Sequence, residues 1–126
     1  MKYLAAKRVI IKIGDLWESP ALNILLSDED GVVVARCLDF TVSSHGNNEE
    51  DAISSLGNAI KEYVLNAIEN ESIDSLYDPA REKFWRAFKE IDKRQSIAFL
   101  NNSITLPLKK DYVQIIDQTA PELIYA

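Results

Sequence analysis

A chain of 126 residues with 14 Lys and Arg against 20 Asp and Glu carries a formal charge of −6, and 47% of it is hydrophobic. That is apolar material for one domain with its own core, so neither disulfides nor a structural metal are needed for stability. The single Cys37 excludes an internal bridge, Cys37 with the single His45 falls short of a zinc ligand set, and the acid excess argues against tight binding to a phosphate backbone.

At the N-terminus, Lys2, Lys7, Arg8 and Lys12 break up the apolar residues, so nothing there reads as a signal peptide. No span reaches about 18 apolar residues, so no membrane crossing is expected and the chain reads as cytoplasmic. Val9, Ile11 and Ile13 alternate with Arg8, Ile10 and Lys12, which predicts a strand before the Gly14-Asp15 turn. Residues 21–38 form the clearest pattern: two aliphatic and β-branched runs flank Asp28-Glu29-Asp30-Gly31, a β-hairpin with glycine where a short turn needs positive φ. Both of its faces are largely apolar, so the hairpin is placed centrally in a sheet. Residues after Asp39 read as a loop ending in Gly46.

From Asn48 the period changes to three and four residues, through Ala52, Ile53, Leu56, Ile60, Val64 and Ala67. This predicts a helix of about five turns, with Asn48 as N-cap and Asp51 reaching back to the cap's backbone N–H. Glu49, Glu50 and Asp51 also set negative charge at the positive end of the helix dipole. A second helix is expected over 78–94, with Asp78 as N-cap, Pro79 in the first turn, and Phe84, Trp85, Phe88 and Ile91 as a core-facing stripe. Residues 96–108 read as extended, and 110–119 as a short helix before Pro121.

Chemistry-bearing residues are sparse. Asp28, Glu29 and Asp30 lie in a turn, where carboxylates are common, and Asp39 closes the second hairpin strand. His45 has no nucleophile at triad spacing, and Cys37 sits within an apolar strand, where it acts as a small hydrophobe. No phosphate-binding glycine loop occurs. No catalytic residue, cofactor or metal site is assigned.

The order of strand, acidic turn, strand, glycine and acid-capped helix resembles the HicB-like antitoxin family of type II toxin–antitoxin systems. The matching residues are Val34-Ala35-Arg36-Cys37-Leu38-Asp39, then Gly46, Asn48, Asp51-Ala52, Leu56 and Ala59-Ile60, within a recognisable core of 21–70. The resemblance implies an α+β fold: a small antiparallel sheet of three to four strands with a long helix on one face, a partial RNase H-like topology without that enzyme's catalytic carboxylates. The C-terminal helix and strand are additions to it, in a single domain spanning 1–126. The resemblance also implies a role, the neutralisation of a small basic RNA-cleaving toxin, to which an acidic surface is suited. Asp28, Glu29, Asp30, Asp39 and His45 are the candidate partner-binding residues.

Residues 95–126 read as a C-terminal extension. The run around Ile104, Leu106 and Leu108 looks like the strand of a ribbon-helix-helix module and is a candidate strand-exchange arm for a homodimer or tetramer. Pro121 leaves no room for the second helix such a module needs, which argues against DNA binding. Two alternatives stand beside the antitoxin: an orphan oligomeric scaffold or regulator of the same fold, and a metal-dependent RNase H-like phosphodiesterase using Asp39 with Asp28 or Asp30.

Overall fold

Apolar residues at every second position make the first segment a strand with one buried edge of side chains, Val9, Ile11 and Ile13. In the computed structural model, which describes residues 1–103 and 122–125, this is β1 (Lys2–Ile13). There follow β2 (Trp17–Glu18), β3 (Leu22–Glu29), β4 (Val32–Cys37), β5 (Val42–Gly46), α1 (Glu49–Glu69), a 3-10 turn at Ile73–Ser75, α2 (Glu82–Ser103) and β6 (Glu122–Tyr125). Pairing runs β2-β1-β3-β4-β5, antiparallel at every step, and β6 adds to β1 in parallel. The fold is α+β, with a longer antiparallel sheet than expected.

The hairpin is central, and β3 shows why. Leu22, Ile24 and Leu26 face α1, within a core that includes Val9, Ile11, Ala35, Cys37, Leu56, Ile60 and Val64. Leu25 faces the other way, into a second cluster with Ala6, Leu38 and Phe88, flanked by Phe84, Trp85 and Ile91. Helices therefore cover both faces of the sheet, α1 on one and α2 on the other. No helix among the described residues is long and apolar enough to cross a membrane.

β2 and β3 are two parts of one return strand along β1. Lys12 pairs Glu18 and Val9 pairs Leu22, so the register slips by one residue between them. Buried Ser19 bridges the slip: its N–H donates to the Ile11 carbonyl at 2.9 Å, and its Oγ accepts from the Ile11 N–H at 2.8 Å. On the opposite edge of β1, Gln95 from α2 stands in for a strand. Its Oε1 accepts from Ala6 N–H at 2.9 Å and its Nε2 donates to the Ala6 carbonyl at 2.8 Å. Arg8 is tied to the same helix by Asp92, with two bonds at 2.8 and 3.0 Å, and lies over the Phe88 ring.

Several boundaries differ from the sequence reading. Residues 42–46 form β5 rather than a loop, paired to β4 from Cys37↔Val42 to Val33↔Gly46. The second helix starts at Glu82. Asp78 precedes a proline, which disfavours helical backbone, and the N–H groups of Asp78 and Ala80 donate instead to the Asp39 and Leu38 carbonyls. That helix then continues through Ser103, so 96–103 is helical and not extended; short apolar runs fit either period. Asn48 caps α1 by accepting from Asp51 N–H at 2.8 Å, but the return bond links the two side chains rather than reaching the cap's backbone. The candidate arm residues Ile104, Leu106 and Leu108, and the helix expected over 110–119, lie outside the described residues.

Gly46 fixes how β5 enters α1. A Cβ on it would stand 2.5 Å from the Ala52 nitrogen and 2.7 Å from the Asp51 carbonyl carbon, both backbone atoms. Gly46→Ala is therefore expected to destabilise the fold by about 2 kcal/mol or more, read from urea unfolding, because the helix must move off the strand end. A loss below about 0.5 kcal/mol would mean the junction is loose.

Candidate functional site

The β3–β4 turn and the start of α1 come to the same end of the sheet. The hairpin closes with Glu29↔Val32, leaving Asp30 and Gly31 as turn residues with φ of 57° and 84°, the left-handed pair that a two-residue hairpin requires. Asp28 Oδ1 accepts from the Gly31 N–H at 2.9 Å and locks the turn. On the other side of β4, Val33 pairs Gly46, so α1 begins beside that turn. Asp28, Asp30, Glu49, Glu50 and Asp51 are thereby gathered at one end, all exposed except the partly buried Asp28. Lys2, across from Asp28 in β1, is a cation at this end.

The other candidate residues divide. His45 is exposed on β5, opposite Val34, one rung from the acidic end. Glu29 turns onto the sheet instead: its Oε2 accepts from Arg36 Nη1 at 2.8 Å and from Ser27 Oγ at 3.0 Å. The Arg36 guanidinium holds the Glu29 carboxyl below the usual carboxylate range, against the opposing effect of burial. Glu29 thus orders the sheet face rather than presenting a free charge. Asp39 is at the far end of β4, where its Oδ2 accepts from the Asn23 N–H at 2.8 Å and holds β3 against the β4–β5 turn.

This separation bears on chemistry. Asp30 precedes the six residues of β4 and Asp39 follows them, a separation of roughly 20 Å at about 3.3 Å per residue. Carboxylates that far apart do not share an ion, so the pairing of Asp39 with Asp28 or Asp30 required by the phosphodiesterase alternative is not formed. Among the described residues, no group of three or more His, Cys, Asp or Glu is placed to hold a metal. Burial pushes the Cys37 thiol up to about 11, which keeps it protonated and inert at neutral pH.

A groove of about 600 Å³ runs between α1 and the 3-10 turn, lined by Val42, Tyr63, Asn66 and Ser72 among others, with Glu62 its one carboxylate. The Tyr63 hydroxyl at its wall donates to the Leu76 carbonyl at 2.8 Å, and burial raises its pKa. Nothing in the lining pairs a nucleophile with a base. The acidic end is therefore the better candidate site. Of its members, Glu49, Glu50 and Asp51 read in sequence only as helix-capping charge, because nothing local signals that β4–β5 pairing carries them to the hairpin turn.

Compared with known proteins, the chain matches no family model, no curated protein and no solved structure.

The Glu29–Arg36 and Asp92–Arg8 pairs give the fold an acid limit. Both carboxyls have folded pKa values lowered by their arginines, so their contribution is complete above the ordinary carboxylate values of about 4 to 4.5 and is lost as pH falls through the lower folded values. Glu29→Gln should therefore melt below the wild type at pH 7 and converge with it towards pH 3. A constant gap across that range would show that the pair is not ionised in the folded state.

Proposed function

We propose that this chain is a HicB-like antitoxin, a non-catalytic cytoplasmic protein that neutralises a small basic RNA-cleaving toxin through its acidic end. The observation that carries this reading is the convergence of the hairpin turn and the α1 N-terminus into one cluster of carboxylates. Such a field speeds encounter with a basic surface and favours it over acidic competitors. Asp30, Glu49 and Glu50 are its freest members, since Asp28 and Asp51 are also committed to the turn and to the cap.

The finer fold assignment belongs to the same proposal. The β3–β4–β5 meander followed by α1 corresponds to the partial RNase H-like unit, with Gly46, Asn48 and Asp51-Ala52 at the strand-to-helix junction where the family carries its glycine and cap. β1 and β6 extend the sheet beyond β3, and α2 covers the face that the unit alone leaves open. A second reading, the orphan oligomeric scaffold, is favoured by a different feature: Ile97 and Phe99, 49% and 71% exposed, leave apolar surface on α2 for a further copy.

Co-expression with a small basic protein encoded beside it, followed by affinity purification and an RNA-cleavage assay, separates the two. The antitoxin reading expects a stable complex that silences cleavage. It also expects that Asp30→Asn with Glu49→Gln and Glu50→Gln slows association by about tenfold at low salt, and less as salt rises. A complex indifferent to these changes would move binding elsewhere on the surface. No complex, with the protein eluting as a dimer or tetramer, would favour the scaffold.

A further inference from the structure

We propose that a small cavity between β5 and the start of α2 is a binding site for the dianionic phosphate group of a small molecule. The cavity is about 130 Å³ and is lined by Arg36, Thr41, Ser43, Arg81 and Phe84, with Val42 and Ala80 completing it. Its lining comes from β4, the β4–β5 turn, β5 and the entry of α2, and includes none of the carboxylates of the acidic end, so the proposal does not rest on the antitoxin reading. Its size suits a tetrahedral oxyanion; a nucleobase or sugar attached to that group would remain outside.

The donors are held in place but not used up. Arg36 Nη1 donates to Glu29 Oε2 at 2.8 Å and to Ser27 Oγ at 3.1 Å, and the guanidinium lies 4.9 Å from the Phe84 ring centroid. A guanidinium has five N–H groups, and those on Nη2 and Nε of Arg36 have no hydrogen-bond partner among the described residues. Packing and the Glu29 pair thus fix the plane of a fork that still has donors free. Ser43, exposed on the adjacent strand across from Arg36, has a hydroxyl with no partner among the described residues.

Charge points the same way. Acidic residues outnumber basic ones in this chain, yet Arg81 makes no ion pair or side-chain hydrogen bond among the described residues. It lines the cavity beside a second guanidinium, while the Lys83 ammonium lies 4.9 Å from the same Phe84 ring. Glu29 offsets Arg36, which leaves Arg81 as the uncompensated cation of the lining. A phosphate dianion neutralises that charge more fully than a monoanion does, and its tetrahedral oxygens can accept from more than one planar guanidinium at once. Thr41, β-branched with φ of 53° in the left-handed region such residues avoid, is held there by its hydroxyl, which donates to the Asp78 carbonyl, so the hydroxyl's proton is committed and Arg36, Ser43 and Arg81 carry the free donors.

The test is an NMR titration of the full chain at constant ionic strength, reading backbone amides and arginine Nε–H signals. The probes are inorganic phosphate, adenosine 5′-monophosphate and acetate. The expected result is saturable shifts at Ser43, Phe84, Arg36 and Arg81 with phosphate or its ester, and not with acetate. Arg81→Gln and Ser43→Ala, both at exposed positions, should each raise Kd at least tenfold, while Lys93→Gln, elsewhere on α2, leaves it unchanged. Tighter binding of the ester would identify an esterified phosphate as the ligand, and equal binding a free one. Shifts that stay linear, spread over all surface cations, appear equally with acetate or survive Arg81→Gln would overturn the site.

Discussion

Ile24, Leu25 and Leu26 point alternately to opposite faces of β3, and none of them keeps any solvent exposure. A strand that is apolar on both faces must be covered on both, and each such side chain buried contributes about 1.5–3 kcal/mol of transfer free energy. That constraint orders the rest of the molecule. β1 and β4 cover the edges of β3, α1 closes one face, and α2 returns across the other through Phe84, Trp85, Phe88 and Ile91. The polar ties of α2, Gln95 to the Ala6 backbone and Asp92 to Arg8, then hold it in register along β1. A meander with only one helix would leave Leu25, Leu38 and Ala6 facing water.

Covering both faces leaves the strand ends as the places where turns and helix starts from different strands meet. At one end the hairpin turn and the helix start collect carboxylates whose local roles, closing a turn and capping a helix, are ordinary. Their adjacency is a product of β4–β5 pairing, and it turns separate structural choices into one acidic surface. On the α2 face, Arg36 pairs with Glu29 and stacks on Phe84, and the entry of α2 meets β5 in a small cavity lined by Arg36 and Arg81. Within a chain of net charge −6, that cavity is a place where two guanidiniums meet.

The sequence is legible where burial writes a period into it. The alternation through Val9, Ile11 and Ile13, the two hairpin runs, and the spacing from Ala52 to Ala67 each mark an element that the structure contains, and Asn48 is the N-cap as read. It is opaque where an element is held by hydrogen bonds rather than by apolar side chains. β5 reads Val-Ser-Ser-His-Gly and is ordered by its ladder to β4, so nothing in its composition signals a strand. β2 is two residues long, and β6 is defined by pairing with β1 across more than a hundred positions of chain. Pro79 suits a first helical turn and so predicts a start at Asp78, but its restriction of Asp78 and the carbonyls of Leu38 and Asp39, which take the Ala80 and Asp78 N–H groups, delay α2 to Glu82. Of the candidate partner-binding residues, Asp28 and Asp30 lie at the acidic end, Glu29 is turned onto the sheet, and Asp39 lies at the far end of β4, a division that only the strand pairing reveals.

The central claim is that β3 needs both helices, and Ile24→Ala beside Leu25→Ala tests it directly by urea unfolding. The two positions are adjacent in sequence, equally buried, and packed against different helices. If both faces are true cores, each substitution costs about 2–5 kcal/mol, as fully buried aliphatic truncations do. A Leu25→Ala loss below about 1 kcal/mol, with Ile24→Ala in the full range, would show that α2 rests on the sheet without closing a core and would contradict the account.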